Sequence, residues 1–244
     1  SSAASDVYKR QVNDNWILFG SEIKAIELSK LIEFEPDIDS YLAYLRHLCV
    51  PADSTGNKNI KKLEPGQFIR IDKNGKISKK IYWDPFTFSV NHDLNEKNVV
   101  EELDRLLNES VEYRKVSDVE VGLFLSGGLD SSLLGKLMKQ NSDSSLKAFN
   151  VDFEENFEGY RGELKEARYA SSEIGINLNE EKINFDNFKE IFDNYAYYQD
   201  DLVGDEVGIP LYFLGKSSRS SGIKVVLVGE GSDELFYGYD HWNR

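Results

Sequence analysis

Cysteine is nearly missing: Cys49 is the only one in 244 residues. A disulfide framework and a CxxC metal cluster are thereby excluded. Histidine is almost as scarce. His47, His92 and His241 stand apart, with no HExxH or His–Cys spacing, so a zinc site is not indicated. Positive charge is also in short supply, with 29 Lys and Arg against 43 Asp and Glu and a net charge of −14. That balance disfavours a nucleic-acid partner, which wants a basic surface. The excess acid reads as a solvated exterior. No apolar run reaches the ~20 residues of a membrane span, and no charged-then-apolar leader precedes the chain. A soluble, cytoplasmic protein without a membrane partner is the expectation. What the chain does have is core material: 40% of it is hydrophobic, enough for one large or two modest domains.

The most informative stretch is residues 119–138, VEVGLFLSGGLDSSLLGKLM. Val119, Val121, Leu123, Phe124 and Leu125 form a run of the kind expected for a buried parallel strand. Ser126-Gly127-Gly128 breaks it, because paired glycines allow a tight turn and a close backbone approach. Asp130, Ser131 and Ser132 suit a helix start, and Leu133, Leu134, Leu137 and Met138 supply its apolar face. Strand, glycine turn and helix together aim free N–H groups and a helix N-terminus at one spot, a ready anion site. This is not a Walker A loop. Gly135-Lys136 is followed by Leu137, and Gly215-Lys216-Ser217 has Pro210 where the first glycine belongs. A GxGxxG fingerprint is also absent, which sets aside a dinucleotide oxidoreductase.

Asp130 decides between two readings. A carboxylate about 4 Å from a phosphate costs roughly 4 kcal/mol at an effective dielectric of 20. A helix N-terminus returns only about 0.3–1 kcal/mol. The arrangement is sensible when Mg²⁺ stands between carboxylate and phosphate. The alternative is a helix-capping Asp on a glycine turn that binds nothing.

Residues 1–11 are small, polar and patternless and read as a disordered or non-native lead. Residues 16–19 form a strand, and residues 21–25 open a helix with Leu28 and Leu31. Residues 38–50 read as a second helix, with Tyr41, Leu42, Tyr44, Leu45 and Leu48 on its apolar side, Cys49 in the core and Pro51 at its end. Residues 67–72 and 76–83 make a hairpin around Asp72-Lys73-Asn74-Gly75. A polar stretch over residues 84–98 marks a boundary: residues 12–90 form one part and residues 91–244 the other. In the second part helices are expected over 96–116, 163–174, 188–198 and 207–217, and strands over 146–153, within 176–185 and over 224–228. This alternation indicates an α/β fold, a parallel sheet with flanking helices. Ligands of such sheets bind beyond the strand C-termini, at the switch point. Gly229-Glu230-Gly231-Ser232-Asp233-Glu234 follows the last strand, so Asp130 and Asp233 are placed on one rim, where they can share a metal.

SGGLDSS resembles the pyrophosphate loop of the N-type ATP pyrophosphatases. LSGGLDSS, then AFNVDF, then VVLVGEGSDELFYGY resembles the synthetase domain of glutamine-dependent asparagine synthetase. LFGSEIKAI resembles the end of that family's glutaminase domain, and CVPADST, KLEPGQFIRI and IYWDP its inter-domain segment. The resemblance implies an adenine nucleotide alpha-hydrolase-like sheet, preceded by the C-terminal remnant of an N-terminal-nucleophile glutaminase. It implies that the side-chain carboxylate of aspartate attacks the α-phosphate of ATP, that pyrophosphate leaves with Mg²⁺, and that ammonia displaces AMP from β-aspartyl-AMP. By matched position, Ser126, Gly127, Gly128, Asp130 and Ser131 hold pyrophosphate. Leu125, Val151, Val228 and Gly229 line the adenosine site, and Asp130 and Asp233 take Mg²⁺. Glu230 assists proton transfer as ammonia adds; its alternative is a glycine-flanked surface acid. Other amide-forming synthetases, of the β-lactam synthetase or cell-envelope amidotransferase kind, share the class, and a nucleotide-binding fragment without turnover is the non-enzymatic reading. The partners implied are small molecules, with a homodimer admitted. The family has a small polar residue where Val228 stands and Gly-Gly where Tyr237-Gly238 stand. It also uses an N-terminal Cys, where this chain has Ser1-Ser2, and a catalytic Lys supplied beyond the position of Arg244. The chain therefore reads as a fragment clipped at both ends.

Overall fold

The computed structural model describes residues 8–13, 16–51, 53–89, 95–140, 145–154, 162–205 and 207–239. Two compact units are present: residues 1–92 with 191–206, and residues 93–190 with 207–244.

In the first unit, β1 (Tyr8–Asn13) pairs antiparallel with β2 (Trp16–Gly20) and with β3 (Lys61–Lys62), in the order β2-β1-β3. Residues 8–11 therefore belong to a strand and not to a patternless lead. YKRQVN has little strand signal of its own, and the register Tyr8↔Gly20 to Gln11↔Ile17 supplies it. Residues 1–7 lie outside the described residues. The short α1 (Ile23–Glu27) buries Ile23 and Ile26 against Ile60, with Leu18 and Ile32 packed alongside. The helix stops before Leu28 and Leu31, which are exposed and do not extend its apolar face.

The next helix, α2 (Ile38–His47), ends where Leu48 turns left-handed at φ 60°. Leu42, Leu45 and Leu48, expected on a buried face, are 59%, 75% and 58% exposed. Cys49 follows the left-handed turn, lies off the helix and is exposed, which corrects its expected place in the core. The hairpin forms as β4 (Gln67–Ile71) and β5 (Ile77–Ile81), with Asp72 Oδ1 accepting from Asn74 N and Lys76 N across the turn.

Residues 191–206 close this unit. Asp200, left-handed at φ 65°, accepts from Ile23 N at 2.5 Å, Lys24 N at 3.0 Å and Lys24 Nζ at 3.2 Å. It caps the N-terminus of α1, where the local cap residue Glu22 makes no side-chain cap bond. Next to it, Asp201 pairs with Lys62 at 2.6 Å, with both side chains nearly covered.

The second unit is built on the parallel sheet β8-β7-β6-β9: β6 (Val121–Phe124), β7 (Lys147–Phe153), β8 (Asn177–Ile183) and β9 (Val225–Leu227). Its helices are α3 (Glu96–Lys115), α4 (Leu129–Gln140), α5 (Leu164–Ile174), α6 (Phe185–Gln199), α7 (Gly208–Ser220) and α8 (Ser232–Phe236), with α6 running on into residues of the first unit. Side chains of α3, α4 and α5 meet Leu123, Leu125, Ala148 and Leu227 in one core. Gly135 lets α4 come down on the sheet, since a Cβ there would lie 2.8 Å from Leu123 Cδ2. Gly175, left-handed at φ 73°, ends α5 as its sequence indicates. Among the described residues no helix is long and apolar enough to cross a membrane.

The chain runs from β6 to β7 to β8, then returns to place β9 on the other side of β6. The switch point therefore falls at β6 and β9, with Val121↔Val225 and Leu123↔Leu227 in register.

Candidate active site

Both glycine-acid loops leave the carboxyl ends of neighbouring strands. The first, after β6, is held by its own hydroxyls. Ser126 Oγ accepts from Gly128 N at 3.2 Å and lies 2.9 Å from Ser131 Oγ, which also donates to Gly128 O at 3.3 Å. Ser132 N then donates to Gly128 O at 3.1 Å and starts the helical ladder of α4. Gly127 has φ +88°, and a Cβ on it would overlap the backbone of Glu166 and Ala167. Only glycine satisfies both conditions. Gly128 and Leu129 are exposed, and Asp130 is half-buried in the first turn of α4. The first N–H groups of a helix have no partner within it, so this exposed turn presents backbone donors.

The second loop follows β9 and touches the first. A Cβ at Gly229 would lie 3.2 Å from Ser131 N and 3.3 Å from Asp130 Cβ. Gly231, at φ 89°, caps α8, and Asp233 lies in that helix's first turn. Gly238 N donates to Asp233 O at 3.0 Å, and a Cβ at Gly238 would overlap the Asp233 carboxylate. Tyr237, left-handed at φ 57°, precedes it. Tyr239 donates to Glu234 at 2.7 Å; that bond pushes the phenol up to about 12 and holds the Glu234 carboxyl below its usual range. Glu230 is exposed at the tip of the loop.

Of the candidate site residues, Ser126, Gly127, Gly128, Asp130, Ser131, Val228 and Gly229 stand at the ends of the neighbouring strands β6 and β9. Val151, half-buried on the adjacent β7, lies one position beyond Asn150. Leu125 is different. It is 1% exposed, its N–H donates to Phe149 O and its C=O accepts from Asn150 Nδ2, so it forms the floor beneath the turn. Asn150 escapes sequence reasoning; its one signal is a carboxamide inside the apolar run AFNVDF. The backbone of Glu166 and Ala167 behind Gly127 gives no signal at all. Glu163, at the head of the same helix, has its carboxyl held above the usual range, first by partial burial and then by Glu166 and Asp152. Among the described residues no group of three or more His, Cys, Asp or Glu side chains converges as a metal site.

Comparison with known proteins matches residues 102–244 to the family "Asparagine synthase" and residues 6–83 to "Glutamine amidotransferase domain". "Asparagine synthetase [glutamine-hydrolyzing] 1" of Bacillus subtilis is 33% identical over 96% of this chain and 36% of its own length. "Putative asparagine synthetase [glutamine-hydrolyzing] 2" of Methanocaldococcus jannaschii is 33% identical over 92% of the chain and 43% of its own length. "Amidase chyE" of Penicillium rubens is 28% identical over 98% of the chain. An NH3-dependent NAD synthetase structure from Campylobacter jejuni aligns over 60% of this chain and 61% of its own, with 20% identity and a TM-score of 0.37. The chain thus spans between a third and a half of the length of these synthetase relatives. A family match over more than half of the residues, and relatives one-third identical along nearly all of them, carry one conclusion: the chain belongs to the asparagine synthase family.

Proposed function

We propose that this chain carries the adenylating centre of an ATP-dependent amide ligase that makes asparagine from aspartate in the cytoplasm. The complete protein takes the ammonia from glutamine. The observation that carries the proposal is the contact between the two loops: Gly229 seats against Asp130 and Ser131, at the switch point of a parallel sheet.

In this reading a side-chain oxygen of aspartate attacks the α-phosphorus of ATP. The bond from that phosphorus to the bridging oxygen breaks, and pyrophosphate leaves. The turn at Ser126, Gly127, Gly128 and Ser131 receives the pyrophosphate on N–H and hydroxyl donors. Val151, Val228 and Gly229 flank the nucleoside, above the floor made by Leu125. Ammonia nitrogen then attacks the β-carbonyl carbon, the bond to AMP oxygen breaks, and Glu230 takes up the proton released. Asp130 and Asp233 would hold Mg²⁺, which typically takes one or two carboxylates and completes its shell with phosphate oxygens and water. The two loops supply these acids from helix first turns, Asp130 in that of α4 and Asp233 in that of α8. When bound, Mg²⁺ neutralises charge on the leaving pyrophosphate.

A second reading keeps adenylation and changes the acyl group, as in a β-lactam synthetase-like enzyme or an envelope amidotransferase. The similarity to a protein named as an amidase favours it. The test is ATP–pyrophosphate exchange with a panel of carboxylates. Aspartate-dependent exchange is the expected result. Exchange with another acid alone moves the assignment to the second reading. ATP binding without any exchange reduces the chain to a nucleotide-binding piece.

A further inference from the structure

Beneath the first turn lies a polar group that the proposed reaction does not use. Asn150 on β7 is 5% exposed, and its Nδ2 donates to Leu125 O at 2.9 Å. A carbonyl can only accept, so the amino end of the carboxamide must face it. Its other end, Oδ1, is buried without a hydrogen-bond partner among the described residues. Burying a carboxamide and pairing only half of it is unfavourable compared with an aliphatic side chain. Valine or leucine would suit this strand and leave no orphan. Stability of the core therefore does not account for an asparagine here, and an orphan of this kind calls for another explanation.

The position of the bond supplies one. The β6–β7 ladder closes with Leu125 N donating to Phe149 O at 2.9 Å. The Leu125 carbonyl is the next polar group along, and it shares a rigid, planar peptide unit with Ser126 N–H. Holding that oxygen fixes the direction of the Ser126 N–H, which points the opposite way. It also fixes where Ser126 begins, and Ser126 Oγ is the acceptor that shapes the turn through Gly128 N and Ser131 Oγ.

We propose that Asn150 is a positioning residue for the anion-binding turn: its buried amide latches the Leu125 carbonyl and so orients the donors of residues 126–131 before any ligand arrives. The inference deepens the nucleotide reading and rests on it for the identity of the ligand. The latch itself can be read without one.

The test uses the full chain with Asn150→Ala, which removes the donor, and Asn150→Ser, which keeps one. Amide hydrogen exchange over residues 125–131 is followed without ligand, and Mg·ATP is titrated by calorimetry. N150A is expected to speed exchange in the turn about tenfold and to weaken Mg·ATP binding by about the same factor. N150S is expected to stay within about threefold of the parent on both readouts. If N150A does not fold, the same comparison is made between N150T and N150V, which differ by a hydroxyl in place of a methyl. Unchanged exchange in the donor-less variant overturns the proposal. So does a donor-bearing variant no better than the donor-less one, because a purely structural role follows packing volume and not the donor. A parent chain that fails to bind Mg·ATP refutes the proposed function, and the exchange measurement then decides the latch by itself.

Discussion

At the scale of single residues, the glycines of the two loops do unequal work. Gly127 combines a positive φ with a Cβ position already occupied by the backbone of Glu166 and Ala167. Left-handed backbone costs an L-residue about 1–2 kcal/mol, and overpacking adds about 1–3 kcal/mol. Gly127→Ala is therefore expected to lose about 2–5 kcal/mol of stability in a denaturant melt. Gly128→Ala, whose Cβ would meet nothing closer than Ser126 Oγ at 3.4 Å, should lose under about 1 kcal/mol. Gly229→Ala lies between the two. Its Cβ would press on Ser131 N at 3.2 Å and Asp130 Cβ at 3.3 Å, so the fold should survive while the loops move apart and Mg·ATP binds about tenfold more weakly. Equal melting midpoints for the first two variants would remove the packing argument. Residues of this kind are legible in a sequence, because only a glycine turn after an apolar strand has their pattern. Asn150 is not, since one amide in a strand looks like a weak strand residue until its partner, the carbonyl of Leu125, is seen.

At the scale of elements, the second half of the chain announces itself. β6, β7 and β9 are largely apolar runs, and α3 and α5 carry their Leu, Val and Ala at helical spacing, α3 behind the cap of Asn95 and α5 ahead of the stop at Gly175. The first half is harder because its elements take their order from partners distant in sequence. α1 spans only Ile23–Glu27 and has no local side-chain cap. A helix that short is marginal in water. Its cap comes from Asp200, far along the chain, which is also held by the Lys24 ammonium. Burial disfavours the charge on Lys24, but Glu22 and Asp200 outweigh it and raise its pKa. Removing Asp200 therefore strips two backbone donors and one ammonium of a shared acceptor. We expect Asp200→Ala to cost the first unit about 2–4 kcal/mol, more than a surface ion pair and about what a buried, partnered charge costs to break. Asp200→Asn, which keeps an acceptor oxygen, should recover part of that loss. A thermal melt in which both variants match the parent would show that α1 is held by Ile23 and Ile26 alone.

At the scale of the whole molecule, the boundary drawn from composition at residues 90 and 91 divides the sequence cleanly but does not divide the structure in the same way. Residues 191–206 lie between β8 and β9 in sequence, yet they belong to the compact unit that holds residues 1–92. Periodicity could not reveal this, because the ties are contacts between distant residues: Asp200 with Lys24, Asp201 with Lys62, and Gly204 N with Leu48 O at 2.7 Å. A piece made from residues 91–244 keeps the sheet and both glycine-acid loops, but it leaves Asp200 without Lys24 and the backbone donors of Ile23 and Lys24, and Asp201 without Lys62. Local stability follows such contacts, and hydrogen exchange reports it segment by segment. The expected outcome is therefore selective. In the 91–244 piece, amides of residues 199–205 should exchange near the rate of an unfolded chain. Amides of β6 and β7 should keep the protection they have in the full chain, because their partners β8 and β9 are still present. Equal protection of residues 199–205 in both proteins would mean that α6 fixes this segment by itself, and that its bonds to Lys24 and Lys62 contribute little.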